Sequence, residues 1–280
     1  MDVNKITCFI INLKHSTERK KHMQELCEKY GLNYEFIEAV DGRTLSEEEV
    51  AKVYPKKEVI KTLGREMSRG EIGVVLSQKQ VYKKMLKNNI EVAMIFEDDI
   101  DFNEELKAIL KQLNSFPKDW NLVLLGHHPD RSCVVKTSYS FWNQTKLNGY
   151  YKLVRPTELA VGAYGYLLKK SAAQILLNQL SIIEKPIDHL TGSDEKLNLY
   201  ILTPPVIHIH QDLSDNYHNM EDRKKLQEEL KNKKILPKRV SRKRKLLIVL
   251  HLDRIWDTLR SKFYKIKKYF CKPRKYEKYR

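Results

Sequence analysis

Residues 94–101 read MIFEDDID, an apolar run that ends in four carboxylates within five residues. Met94 to Phe96 has the composition of a buried strand, and the acidic residues follow where that strand ends. In an open α/β sheet, the carboxyl ends of the strands form the edge where ligands bind. This stretch therefore predicts a strand of the central sheet with a chemical site at its end.

The sequence around this stretch alternates between strand and helix patterns. Ser46 precedes Glu49, and Ser68 precedes Glu71, at the spacing of a capping box, which predicts helices over 47–54 and from 69 to about 88. Other helices are predicted over 17–30, 104–113, 171–180 and 220–231, strands over 6–13, 34–39, 91–96, 120–125, 165–168 and 206–210, and a loop over about 129–150. The alternation predicts an α/β domain with a mostly parallel central sheet and helices on both faces.

The positive charge of the chain is concentrated at its C-terminal end. Residues 231–280 hold 20 Lys/Arg against three acidic residues, a net charge of +17, so the other 230 residues sum to −1 of the total +16. The body therefore shows no basic footprint for nucleic acid. We predict a single domain over 1–232 and a basic appendage over 233–280.

The basic appendage also carries many apolar and aromatic side chains, often at helical spacing. A basic amphipathic helix of this kind lies in the headgroup region of anionic membranes. A nucleic-acid-binding segment would show a recognition motif, and none is found; a solvated tail would not need the apolar residues. The pattern predicts attachment to the anionic inner membrane surface.

Composition indicates where the chain works. No window has the roughly 18–20 consecutive apolar residues of a spanning helix, and the N-terminus lacks the order of a secretory signal. The four cysteines, Cys8, Cys27, Cys133 and Cys271, have no metal-ligand or disulfide-framework spacing. We expect a cytoplasmic protein, peripherally associated with the cytoplasmic face of the inner membrane.

The acidic run after Phe96 has two interpretations. Carboxylates this close raise one another's pKa unless a hard cation such as Mg²⁺ or Mn²⁺ neutralises them, and such a cation also grips a diphosphate. Alternatively, Asp98 to Asp101 form a turn and cap the next helix, with their charges in water.

Several further motifs, in their order along the chain, resemble glycosyltransferase family 25, the group of bacterial lipooligosaccharide galactosyltransferases and collagen galactosyltransferases. They are Ile11-Asn12-Leu13 with Glu18-Arg19, Asp41-Gly42, Gly70-Glu71-Ile72-Gly73 with Ser77, Glu97-Asp98-Asp99, Gly162-Ala163-Tyr164-Gly165-Tyr166 and Pro186-Ile187-Asp188. Each motif is short, and their ordered combination is specific. The pair His208 and His210 departs from the family pattern.

The resemblance implies a GT-A-like single domain that moves a hexose, galactose in β linkage from UDP-galactose, onto a lipooligosaccharide, lipopolysaccharide or other surface-glycan acceptor on a lipid carrier, with inversion. The divalent metal, Mn²⁺ or Mg²⁺, would be held by Asp99 and Asp101, with His208 or His210 as a further candidate ligand. Asp188 would be the catalytic base. The implied donor-binding residues are Asn12, Leu13, Arg19, Asp41, Gly70, Glu71, Ser77, Glu97 and Asp98.

Two of these roles have ordinary structural alternatives. Arg19 at the start of a helix could bind a phosphate in a bidentate manner or be an exposed first-turn residue. Asp188 after Pro186 could face the acceptor or be an ordinary loop aspartate.

Two other classes of function stay open on the sequence. A metal-dependent phosphodiesterase or nucleotide-sugar hydrolase would also cluster carboxylates at strand ends, and would hydrolyse a UDP-sugar without an acceptor. A non-catalytic membrane-associated adaptor would use the basic tail as its working part, and would bind no nucleotide-sugar.

Overall fold

A large central sheet with helices on both faces forms the body of the protein. The computed structural model describes residues 6–129, 139–147, 149–156, 160–193, 196–210 and 212–214. The predicted helix over 220–231, the appendage over 233–280 and the boundary between the two predicted units lie outside the described residues. Among the described helices, none is long and apolar enough to cross a membrane.

The strands and helices alternate along most of the chain. The strands are β1 (Thr7–Asn12), β2 (Tyr34–Glu38), β3 (Val92–Glu97), β4 (Ile100–Phe102), β5 (Leu122–Leu124), β6 (His128–Pro129), β7 (Tyr139–Lys146), β8 (Lys152–Pro156), β9 (Ala160–Val161), β10 (Gly165–Lys169), β11 (Leu199–Thr203) and β12 (Ile207–Ile209). The helices are α1 (Thr17–Lys29), α2 (Glu47–Val53), α3 (Lys56–Leu63), α4 (Arg69–Lys87), α5 (Glu104–Leu110), α6 (Lys170–Gln179) and α7 (Ile187–Ser193).

The main sheet has eight strands in the order β2-β1-β3-β10-β5-β11-β8-β7. The predicted α/β class with a central sheet is confirmed, but the sheet is mixed rather than mostly parallel. Three neighbouring pairs are parallel and four are antiparallel. Strand β10 runs against both of its neighbours, and a strand buried on both faces has the same apolar composition in either direction.

Each face of the sheet is covered by its own hydrophobic layer. One layer joins Phe9, Ile95 and Tyr166 of the sheet to α2, α3, α4, α6 and α7. The other joins Cys8, Met94 and further strand residues to α1 and α5. Because alternate residues of a strand point to opposite faces, the continuous apolar run of β3 serves both layers.

Sequence signals located some elements well and missed others. Both predicted capping boxes are present, at Ser46 with Glu49 and at Ser68 with Glu71. The predicted strand over 206–210 forms β12, which pairs with β4 in a separate two-stranded sheet. Part of the predicted loop over 129–150 is instead strand β7, which pairs with β8 at one side of the main sheet.

Candidate active site

A pocket of about 150 Å³ opens at the carboxyl ends of β1, β2 and β3. These three strands are neighbours and parallel, so their ends meet at one edge of the sheet. The pocket is bounded on the opposite side by one face of α4. The predicted site residues that line it are Leu13, Arg19, Asp41, Gly70, Ser77, Glu97, Asp98 and Asp99.

Asp98 is held in place by two residues of the first strand–helix unit. The amide of Asn12 donates to its carboxylate at 2.6 Å, and the guanidinium of Arg19 lies 3.4 Å from the other carboxylate oxygen. Arg19 also donates to the hydroxyl of Ser16 at 2.8 Å. Ser16 makes no side-chain cap on α1. Its hydroxyl positions Arg19 at the pocket wall.

The loop after β2 packs unusually close to the start of α4. A Cβ atom on Gly42 would lie 1.8 Å from the backbone oxygen of Arg69, and one on Gly73 would lie 2.6 Å from that of Val40. The backbone N–H of Val40 donates to Ser77 at 2.8 Å. Only glycine allows this approach, which explains two of the sequence motifs and fixes the width of the pocket.

Glu71 does not line this pocket. Its side chain is buried and forms a bidentate ion pair with Arg65, with both N–O distances at 2.7 Å. It also accepts from the backbone of Ser68 to complete the capping box of α4. We therefore correct the expected donor contact: the described contacts of Glu71 hold the start of α4 in place.

The carboxylates at the end of β3 repel one another. Burial, followed by the charges of Asp99, Asp98 and Asp188, raises the pKa of Glu97 to about 8. Burial also raises the pKa of Asp98, although Arg19 and Asn12 oppose this shift. Such a group of acids favours a proton or a cation in the pocket.

Asp188 lies in the first turn of α7 rather than in a loop. Its charge raises the pKa values of Glu97 and of Arg65, so it lies close to both. Its Oδ1 atom is buried and has no hydrogen-bond partner among the described residues. A buried carboxylate oxygen without a donor is unusual in a folded protein and is typical of a functional group.

The segment that contains Tyr164 packs beside the acidic strand end. The backbone oxygen of Tyr164 accepts from Glu97 at 2.9 Å. Glu97 and Asp99 add to the effect of burial in raising the pKa of the Tyr164 hydroxyl. Gly162 allows the ring of Tyr164 to lie close, because a Cβ there would be 2.8 Å from the ring. The glycine-rich motif thus closes this side of the site.

A second group of ligating side chains lies next to the pocket. One ligand atom from each of His22, Asp101 and His210 lies within 4.8 Å of the others. His22 Nε2 is 3.1 Å from Asp101, and His210 Nε2 is 3.9 Å from it. Two imidazoles and one carboxylate suit Mn²⁺ and the later first-row metals better than Mg²⁺. These residues therefore fit a divalent transition metal.

The predicted metal ligands are divided between the two places. The backbone N–H of His210 donates to the backbone oxygen of Asp99 at 2.8 Å, which joins the histidine cluster to the pocket. Asp99 lines the pocket, whereas Asp101 belongs to the histidine cluster. His208 is opposite Asp101 in the strand register but is exposed and lies outside that cluster.

His22 was not predicted from the sequence. It follows Arg19 by three residues on α1, so both side chains lie on the same face of the helix. That spacing, next to an arginine already assigned to the pocket, was the available signal. The contact itself depends on how α1 packs on β4 and β12, which spacing along one helix cannot show.

Comparison with known proteins assigns the chain to a family. The family described as Glycosyltransferase family 25 (LPS biosynthesis protein) matches residues 5–191, more than half of the chain. The chain therefore belongs to glycosyltransferase family 25. The match ends just after Asp188 and includes every predicted site residue except His208 and His210.

The relatives include eukaryotic galactosyltransferases. Procollagen galactosyltransferase 1-A of Xenopus laevis is 28% identical over 204 residues, which is 64% of this chain and 29% of the relative. Procollagen galactosyltransferase 1-B of the same organism is 26% identical over 230 residues, 74% of this chain and 32% of the relative. The chain thus spans about a third or less of the length of these relatives.

Likeness to solved structures is loose. A glycosyltransferase involved in the glycosylation of the major capsid of PBCV-1 has a TM-score of 0.33 and 13% identity, with 63% of this chain and 65% of that chain covered.

Proposed function

We propose that the chain is a metal-dependent inverting glycosyltransferase that moves a hexose from a UDP-sugar, with UDP-galactose favoured, onto a saccharide acceptor. The observation that carries the proposal is the pocket at the ends of β1, β2 and β3, where Arg19, Asp41 and Asp99 converge from separate segments. Galactose is favoured because relatives are named procollagen galactosyltransferases. A lipopolysaccharide-type acceptor is favoured by the description of the family.

The pocket suits the diphosphate of such a donor. Arg19 presents a guanidinium that matches phosphate oxygens, and Asp98 with Ser16 holds it in position. Asp99, Asp101, His22 and His210 would hold a divalent ion, whose chemistry there is Lewis-acid stabilisation of the charge on the leaving UDP. Mn²⁺ is favoured over Mg²⁺ because two of these four groups are imidazoles.

Asp188 is the proposed general base. The acceptor oxygen forms a bond to the anomeric carbon while the bond from that carbon to the phosphate oxygen breaks, and UDP leaves. The acceptor proton passes to the Asp188 carboxylate. Attack from the side opposite to UDP inverts the anomeric centre, which gives a β linkage from an α-linked donor.

The test is a transfer assay with three donors, UDP-galactose, UDP-glucose and UDP-N-acetylglucosamine, each with Mn²⁺ or with chelator. Acceptor arms are a truncated lipooligosaccharide and a procollagen peptide, and both the glycosylated product and the free sugar are measured. We expect Mn²⁺-dependent transfer from one donor to one acceptor. Free sugar at the same rate without any acceptor would instead indicate a hydrolase, and no binding of any donor would indicate an adaptor.

We also propose that residues 233–280 attach the enzyme to the cytoplasmic face of an anionic membrane. The support is the charge of this segment and its interleaved apolar residues. A chain truncated after residue 232 should lose sedimentation with phosphatidylglycerol vesicles and keep transfer to soluble acceptors, while neutral phosphatidylcholine vesicles serve as the control. Equal sedimentation of the truncated and full chains would contradict the proposal.

A further inference from the structure

A chain of buried hydrogen bonds ends at the pocket. The hydroxyls of Tyr82 and Tyr166 are 2.7 Å apart, and the Tyr166 hydroxyl donates to the side-chain oxygen of Gln78 at 2.5 Å. All three side chains are fully buried. The other end of the amide, Gln78 Nε2, is buried and has no hydrogen-bond partner among the described residues. Gln78 also lines the pocket.

The two tyrosines fix which way the amide points. Burial raises the pKa of Tyr82 and of Tyr166, so both hydroxyls carry their protons. With Gln78 Oε1 toward Tyr166, the proton of Tyr82 goes to Tyr166 and that of Tyr166 goes to Gln78. With the amide reversed, Tyr82 would be left with a buried proton and no acceptor, which is the costlier arrangement. The amide N–H₂ group therefore faces the pocket.

The position of Gln78 along the pocket indicates what it meets. Strands β2, β1, β3 and β10 are consecutive in the sheet, so β10 lies about 14 Å from β2 at ordinary strand spacing. Asp41 follows β2, whereas Gln78 reaches Tyr166 on β10. Arg19 and Asp98, the groups suited to phosphate, come from segments that follow β1 and β3. Gln78 thus lies on the far side of the phosphate groups from Asp41.

We propose that Gln78 is a donor-sugar specificity residue, whose amide N–H₂ donates to a hydroxyl oxygen of the transferred hexose. This inference rests on the proposed function of the pocket and adds the group that reads the sugar rather than the nucleotide. A neutral donor suits a neutral hydroxyl, and the amide is held in its orientation before the ligand arrives. Tyr82 and Tyr166 act as positioning residues, because they touch Gln78 and not the sugar.

The test compares UDP with UDP-galactose by calorimetry in the presence of Mn²⁺. Gln78→Met keeps the size and neutrality of the side chain and removes the N–H₂ donor. Gln80→Met on the exposed side of the same helix is the matched control. We expect Gln78→Met to bind UDP-galactose about tenfold more weakly and UDP within twofold of the wild type, since one hydrogen bond to the sugar is lost.

Tyr166→Phe separates positioning from a merely structural role. It leaves the amide intact but frees it to turn, so the affinity for UDP-galactose should fall less than in Gln78→Met, again with little change for UDP. Equal weakening of UDP and UDP-galactose in Gln78→Met, or no weakening of either, would overturn the assignment. A wild-type protein that binds neither UDP nor UDP-galactose would contradict the proposed function instead.

Discussion

Replacing Asp99 with Asn should lower Mn²⁺-dependent transfer from UDP-galactose by about 10²–10³-fold, the scale on which loss of one charge-stabilising group acts. Asp99 lines the pocket next to Asp98 and adds to the raised pKa of Glu97. Its removal relieves like-charge repulsion, so the metal-free variant should unfold no earlier than the wild type. Transfer kinetics, Mn²⁺ calorimetry and thermal unfolding of the same preparations check the three statements.

Two further variants give this result its meaning. Asp212→Asn changes an exposed carboxylate on the described surface and should leave turnover and Mn²⁺ affinity as they are. Asp101→Asn removes the carboxylate that both His22 and His210 contact. Loss of Mn²⁺ affinity in both Asp99→Asn and Asp101→Asn would support one ion between the two groups. Loss in Asp101→Asn alone would refute Asp99 as a ligand.

The sequence was most informative where the local pattern and the tertiary environment agree. The run that ends at Glu97 is buried on both faces in the structure, as its composition indicates, and Ser68 with Glu71 starts α4 as the capping-box spacing predicts. Glu71 also shows the limit of a motif. Its order in the chain indicates a donor contact, whereas its contacts with Arg65 and Ser68 show that it holds a helix.

The features that could not be predicted depend on which elements become neighbours. The direction of β10 is decided by its pairing with β3 and β5, and its apolar residues would suit either direction. His22 and His210 are far apart in sequence, and they meet because α1 packs against the small sheet of β4 and β12. Gln78 looks like an ordinary helix residue until Tyr166 is seen to occupy one end of its amide.

Asp188→Asn should reduce transfer by about 10²–10⁴-fold, the usual contribution of a positioned general base, while UDP-galactose binds within about twofold of the wild type. The reason is that Asp188 takes the acceptor proton and is not assigned to the donor. Its charge raises the pKa of Glu97, so the neutral amide also relieves repulsion and should not destabilise the fold. Steady-state transfer and calorimetry on one preparation separate the two effects.

The matched control for Asp188 is Glu184→Gln, an exposed carboxylate just before the same Pro186 turn, which should transfer at the wild-type rate. Asp188→Glu keeps the carboxylate and displaces it by one methylene, so it should recover part of the activity that Asp188→Asn loses. Because the buried Oδ1 of Asp188 has no partner among the described residues, no internal hydrogen bond is lost with it. Turnover of Asp188→Asn above a tenth of wild type would therefore point to another base, and weakened donor binding would place Asp188 on the donor side of the site.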